Sequence, residues 1–116
     1  MKDKNFNRFL HIHEAIFSIR VFCQDKSLEE FRNDDLLFSA VLQKFLVIGE
    51  SVSRIDKEIL EKYEFPWHKP KAFRNFIAHE YFQIKPERIW QTIESDLIDL
   101  EIIVSMILKA EFNDQP

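Results

Sequence analysis

Apolar residues recur along this chain at alternating steps of three and four, the spacing that gathers side chains on one face of an α-helix. Phe9, Ile12, Ile16, Ile19 and Cys23 form the first stripe. Leu37, Val41, Phe45, Ile48, Val52, Ile55 and Ile59 form the second, and Trp90, Ile93, Leu97, Leu100, Val104 and Ile107 the last. Polar punctuation fits the stripes. Ser27 with Glu30 spells a capping box ahead of a short turn, Leu28–Arg32, and Asp34 or Asp35 caps the second long helix. Pro66 closes the loop that follows. A third, shorter helix is predicted from Trp67 or Lys69 to about Glu80, and Pro86 suits the first turn of a fourth, where its missing N–H does no harm. The C-terminal Asn-Asp-Gln-Pro is expected to fray. Gly49 is the sole glycine, too few for a sheet-rich fold with tight turns. The pattern predicts an all-α protein, a compact bundle of four to five helices in a single domain spanning residues 1–116.

Several apolar residues fall off these stripes: Phe17, Phe22, Phe38, Leu46, Phe76, Phe82, Ile102 and Met106. Either they sit at stripe edges or they form an interface, which would make the bundle a homodimer. Gly49 lies inside the second helix, at a cost of about 1 kcal/mol relative to Ala. A glycine there usually permits close approach of another backbone. Glu50 follows it, off the core stripe, and reads by position as a solvent-facing acid.

Composition narrows the setting. Apolar residues make up 46% and charged residues 31% of 116 residues, an ordinary globular balance. Cys23 is the only cysteine, so no internal disulfide forms, and a reducing, cytoplasmic setting is expected. The opening segment Met1–Phe17 has no uninterrupted apolar stretch of signal-peptide type. No run of apolar residues reaches membrane-spanning length, so no membrane association is expected. Net charge is −4, which argues against a protein that coats nucleic acid. The segment Glu64–Arg88 departs from that average. Its five Lys/Arg against three Asp/Glu give +2 and leave −6 for the remainder, so any polyanion contact should centre on this stretch.

The chemistry-bearing residues concentrate in the same stretch. Of the four histidines, His11 and His13 are two apart and project to opposite sides of a helix, which rules them out as a zinc pair. His68 sits near a helix start. No His/Cys/Asp/Glu cluster has metal-ligand spacing, and no cofactor is expected. His79 lies in Ala-Phe-Arg-Asn-Phe-Ile-Ala-His-Glu-Tyr-Phe, where Arg74, Asn75, His79, Glu80 and Tyr81 are set among apolar neighbours. A helix this apolar is expected to be largely buried, its polar groups partnered or lining a cleft. Arg74 and His79, five apart, diverge by about 140° on a straight helix. Arg74 and Tyr81 are nearly eclipsed if the helix continues that far, and Asn75 and His79 can touch. One chain therefore focuses Arg74 and His79 on a single phosphate only if the helix ends before His79. Otherwise two chains must pool their side chains. The chemistry such a set suits is RNA transesterification: His takes the proton of a ribose 2′-OH, a second group protonates the leaving oxygen, and Arg holds the phosphate oxygens in its fork. The structural alternative is a core histidine at 79 and an Arg74 that pairs with an acid such as Glu50.

The stretch Arg74-Asn75-Phe76-Ile77-Ala78-His79-Glu80-Tyr81 resembles the signature of the HepT-like toxins of the HEPN superfamily: Arg, a polar residue, several residues, His, any residue, Tyr. Ile48-Gly49-Glu50-Ser51 resembles a second feature of that family, with Glu50 at its acidic position. The resemblance covers nearly the whole chain and implies a dimeric helical bundle with its Arg–His motifs in a shared cleft. It implies cleavage of single-stranded RNA or tRNA without metal, with Arg74 and His79 catalytic and Asn75, Tyr81 and Glu50 in support. It also implies a toxin–antitoxin pair in which an MntA-type nucleotidyltransferase antitoxin attaches AMP to Tyr81. A non-catalytic helical module that binds a nucleotidyltransferase or a nucleotide is the alternative from a different class.

Overall fold

The computed structural model describes residues 3–113. Among them are seven α-helices: α1 (Lys4–Cys23), α2 (Leu28–Arg32), α3 (Asp35–Arg54), α4 (Lys57–Leu60), α5 (His68–Glu80), α6 (Pro86–Glu94) and α7 (Asp96–Phe112). A single 3-10 turn, Tyr81–Gln83, follows α5. The chain is an all-α bundle, as the stripes predict. The expected fraying of the tail falls largely on residues 114–116, outside the described ones.

The starts of α1, α2 and α3 are set by short polar side chains that satisfy the first free N–H groups. Asp3 accepts from the Asn5 amide at 2.7 Å and starts α1. The Ser27–Glu30 capping box is present in both directions. Of the two candidate caps for α3, Asp34 takes the role, accepting from the Leu37 amide at 3.0 Å.

Two expected helices are each divided. α3 ends at Arg54, and Asp56 starts α4. The stripe still reads through to Ile59 because Ile55 is buried at the break and Ile59 is half-buried beyond it. Likewise, α6 and α7 are separated at Ser95, which has φ −128° and ψ −74°. Ile93 and Leu97 flank the break and both stay in the core. Periodicity records which residues face inward, and a bend that keeps them inward leaves it intact.

The core lies between α1, α3 and α7. Phe9, Ile12, Ile16 and Ile19 of α1 meet Val41 and Val52 of α3 and Val104 and Ile107 of α7, all essentially without solvent contact. Each such side chain contributes about 1.5–3 kcal/mol on burial, against about 0–1 kcal/mol for an exposed ion pair such as Arg20–Glu101. Apolar packing therefore holds the bundle. Phe112 closes one end against Phe6 and Phe9, and Phe31 of α2 packs on Phe38 and Trp90, which ties α2 to α3 and α6. The Trp67 indole N–H donates to the carbonyls of Leu60 and Tyr63 and fixes the loop that leads into α5.

By length and composition alone, α3 is apolar enough to cross a membrane, contrary to the expectation that no segment is. Its buried residues, Val41, Leu42, Phe45, Ile48 and Val52, belong to the bundle core. The off-stripe residues split in two. Phe22, Phe38, Leu46 and Phe76 pack partly on the core. Phe17, Phe82, Ile102 and Met106 are exposed, together with Val21, Leu36 and Ile98.

Candidate active site

Helix α5 carries the motif and leans on α3 at Gly49. A Cβ at position 49 would sit 2.2 Å from the Arg74 Cβ and 2.8 Å from the Pro70 carbonyl oxygen. The glycine thus lets the two backbones touch, the role its mid-helix position suggests. It also sets Arg74 beside Glu50, the next residue on α3. Arg74 Nη2 donates to Glu50 Oε2 at 2.8 Å, and Arg74 Nη1 donates to Asn75 Oδ1 at 2.9 Å. The second oxygen of the same carboxylate, Glu50 Oε1, accepts from Arg54 at 2.8 Å. Glu50 is therefore not a free solvent-facing acid: it bridges two guanidinium groups. Its Arg74 pair is about two-fifths exposed on both sides. At that exposure it is worth at most about 1 kcal/mol to the fold, and its consequence is orientation. Arg54 was not among the sequence candidates, although its i, i+4 spacing from Glu50 signals the pair.

His79 is exposed, which excludes the core-histidine alternative. Only Ile77 of α5 is buried, contrary to the expectation of a largely buried helix. The reason is that Phe73 and Phe76 face an open groove. That groove, about 690 Å³, is lined by Phe45, Phe65, Phe73, Phe76 and Arg88 among others, and the Arg88 guanidinium lies 5.3 Å from the Phe76 ring centre. It opens on a different side of α5 from the Arg74–Glu50 pair.

The helix runs unbroken from His68 to Glu80. Arg74 and His79 thus keep the divergence of about 140° set by the helical period, and the option of a helix ending before His79 is closed. The expected eclipse of Arg74 and Tyr81 is not enforced, because Glu80 leaves the helix (φ −110°, ψ 20°) and Tyr81 opens the 3-10 turn. Tyr81 is 44% exposed, with its ring against Phe82, which is 97% exposed. Asn75 is exposed and spends its carbonyl on Arg74. The structure thus joins Arg74, Asn75 and Glu50 into one network and leaves His79, near the end of the same helix, and Tyr81, just beyond it, accessible.

Among the described residues no three His, Cys, Asp or Glu side chains converge as metal ligands. Cys23 lies at the end of α1, away from this site, and burial pushes its thiol pKa up, opposite to what a reactive thiolate needs.

Comparison with known proteins agrees with the motif. The model of the family described as Ribonuclease HepT-like matches residues 12–107. A protein of Caldanaerobacter subterraneus subsp. tengcongensis named "Putative RNase TTE0752" is 36% identical over 86 residues, covering 73% of this chain and 77% of its own. A Methanocaldococcus jannaschii protein named "Putative RNase MJ0125" is 32% identical over 111 residues, covering 94% and 96%. A Thermococcus cleftensis protein named "Probable ribonuclease HepT" is 28% identical over 102 residues, covering 87% and 93%. No significant match is found among solved structures. With the matched region spanning Gly49, Glu50 and the whole Arg74–Tyr81 motif, the chain belongs to the HepT-like ribonuclease family.

Proposed function

We propose that this protein is a metal-independent endoribonuclease that cleaves RNA in a cleft shared by two copies of the chain. The observation that carries the reading is the unbroken α5, which holds Arg74 against Glu50 and presents His79, exposed, on a divergent face. A two-fold arrangement of two such helices puts Arg74 of one copy opposite His79 of the other, as isologous interfaces do. In the reaction, neutral His79 takes the proton of the ribose 2′-OH as its oxygen bonds to phosphorus. Arg74, held by Glu50 and Asn75, binds the phosphate oxygens as charge builds. The P–O5′ bond breaks, and a second protonated group protonates the leaving oxygen. The products are a 2′,3′-cyclic phosphate and a 5′-hydroxyl.

The physiological reading is a toxin whose antitoxin is an MntA-type nucleotidyltransferase, with tRNA as one substrate class. Tyr81, exposed at the motif end, is the proposed acceptor of AMP. The modification adds bulk and negative charge beside the site. Co-expression with the cognate nucleotidyltransferase should add about 329 Da per AMP, and Tyr81→Phe should abolish the shift. An unshifted mass in an inactive complex would replace modification with plain sequestration.

Mixing two inactive variants tests the shared cleft. Arg74→Ala and His79→Ala proteins, unfolded and refolded together, should recover roughly a quarter of wild-type cleavage, because heterodimers rebuild one intact Arg74–His79 unit. No recovery from a mixture shown to contain heterodimers would sink the shared cleft. Wild-type protein that cleaves no RNA and arrests no growth would leave the non-catalytic module as the reading.

A further inference from the structure

A second concavity adjoins the motif on the other side of Glu50. It measures about 320 Å³ and lies between the N-terminal half of α1 and the C-terminal half of α3, lined by Lys4, Asn7, Arg8, His11, Glu50 and Arg54 among others. Lys4, Arg8 and His11 are spaced i, i+4, i+7 and so share one face of α1. Arg8 is fixed in place: its guanidinium donates to the Arg54 backbone carbonyl at the end of α3 and to Asn5. Arg54 is fixed through Glu50, whose other oxygen holds Arg74. One carboxylate thus joins the motif arginine to the wall of the concavity.

The charge of this wall runs against the rest of the protein. Lys4, Arg8 and Arg54 face a single carboxylate, Glu50, in a chain of net charge −4. Two acids that adjoin Lys4 and Arg54 in sequence are engaged: Asp3 accepts from the Asn5 amide, and Asp56 accepts from the Asn5 side chain. Asn7 and His11 add hydrogen-bond donors. Three cations, of which Arg8 and Arg54 are held in place, with hydrogen-bond donors between them suit a run of phosphodiesters better than a single small anion. Charge counting along the sequence pointed to Glu64–Arg88. The folded chain adds Lys4, Arg8 and His11 of α1, which no linear window joins to the motif.

We infer that Lys4, Arg8, His11 and Arg54 form a strand subsite that binds the sugar–phosphate backbone of single-stranded RNA, next to the bond held at Arg74. The inference rests on the ribonuclease reading for the position of that bond, but not for the binding itself. Phosphates one or more nucleotides from the scissile one pass along α1, and Glu50 spaces the two anion sites by occupying the gap between Arg74 and Arg54. A substrate long enough to reach α1 gains binding energy there, whereas a dinucleotide does not.

The test uses the whole protein with Lys4→Gln, and with Lys4→Gln combined with Arg54→Gln. Both positions are exposed, so the fold should hold within about 0.5 kcal/mol. Binding of a fluorescent single-stranded RNA of about a dozen nucleotides is followed by anisotropy as salt is raised. Each lost phosphate contact should make the log–log salt dependence shallower by about 0.7, hence about 1.4 for the double variant. In parallel, KM for the long RNA should rise roughly fivefold near 0.1 M salt in Lys4→Gln, the value of one phosphate contact, while kcat and dinucleotide cleavage stay as in wild type. An unchanged salt slope overturns the subsite. So does an equal loss on both substrates in Lys4→Gln, which would mean that Lys4 makes no contact beyond the scissile bond. If the wild type cleaves no RNA, the ribonuclease reading fails on its own, and the salt slope still decides the subsite.

Discussion

Gly49→Ala sets two physical effects of opposite sign against each other at one atom. Alanine is the better helix former by about 1 kcal/mol, so on propensity alone the substitution stabilises α3. The new methyl, however, would stand 2.2 Å from the Arg74 Cβ, 2.8 Å from the Pro70 oxygen and 2.9 Å from the Arg74 Cγ. Carbon atoms settle at about 3.5–4.0 Å, so α5 has to retreat from α3 by more than about 1 Å. Two of the three opposing atoms are placed by the backbone, and no rotamer change moves them. The overpacking cost therefore belongs at the upper end of about 1–3 kcal/mol, leaving a net loss near 2 kcal/mol. At roughly 4 °C per kcal/mol for a chain of this size, the midpoint of thermal unfolding should fall by about 8 °C. The same retreat draws Arg74 away from Glu50, and a displacement of about 1 Å at a positioning contact can cost about a hundredfold in rate. Calorimetry paired with RNA cleavage at a temperature where the variant is fully folded checks both. A variant as stable as wild type, or more so, would refute the close approach at Gly49. Full activity in a destabilised variant would refute the link from that approach to Arg74.

His79→Ala should leave unfolding within about 0.5 kcal/mol of wild type, because the side chain is exposed, while cleavage falls by about 10²–10⁴; parallel melts and rate measurements separate the two. Arg74→Lys should rescue an Arg74→Ala enzyme poorly, since the planar fork that serves Glu50 and a phosphate together is lost, and single-turnover rates on one RNA read it. Cleavage should persist in excess EDTA and leave cyclic phosphate ends; activity lost in EDTA and restored by Mg²⁺ or Mn²⁺ would overturn the proposed mechanism. Tyr63 donates to Glu111 at 2.7 Å, and this bond pushes the phenol up to about 12 and holds the Glu111 carboxyl below its ordinary value. Its stabilisation is therefore present between those limits. It is lost as pH falls through the lowered carboxyl value and as pH rises from the ordinary phenol value, about 10, through about 12. Tyr63→Phe should flatten stability against pH at both ends, as urea midpoints across the range would read.

Much of this architecture is legible in the sequence, and the exceptions share a cause. Alternating three–four steps mark the inward faces of α1, α3 and α7, and Ser27, Asp34 and Pro86 start helices as short polar or ring-locked residues should. The breaks at Ile55 and Ser95 escape the stripes because the chain bends there without turning its apolar side outward. The local signs were Asp56 and the Ser95-Asp96 pair, both of helix-start type. The site reads well where it depends on one helix and poorly where it depends on two. Arg74, Asn75, His79 and Tyr81 stand in one segment. That Glu50 grips Arg74 follows only once Gly49 is seen to bring α3 and α5 together. The expected burial of α5 failed for the same reason: Phe73 and Phe76 promise a core, but the space opposite them is an open groove.

That groove has a consequence for how the motif helix moves. With α3 as its chief support and Arg88 as its main tie across the gap, α5 is held from one side, whereas α1 and α3 are enclosed. Of its own apolar side chains, α5 buries only Ile77 fully and Phe73 and Phe76 in part. Its amides should therefore exchange with deuterium through a local excursion well below the free energy of global unfolding, ahead of those in α1 and α3. Whatever fills the groove adds the missing second wall, and should slow exchange along His68–Glu80 before it changes anything else.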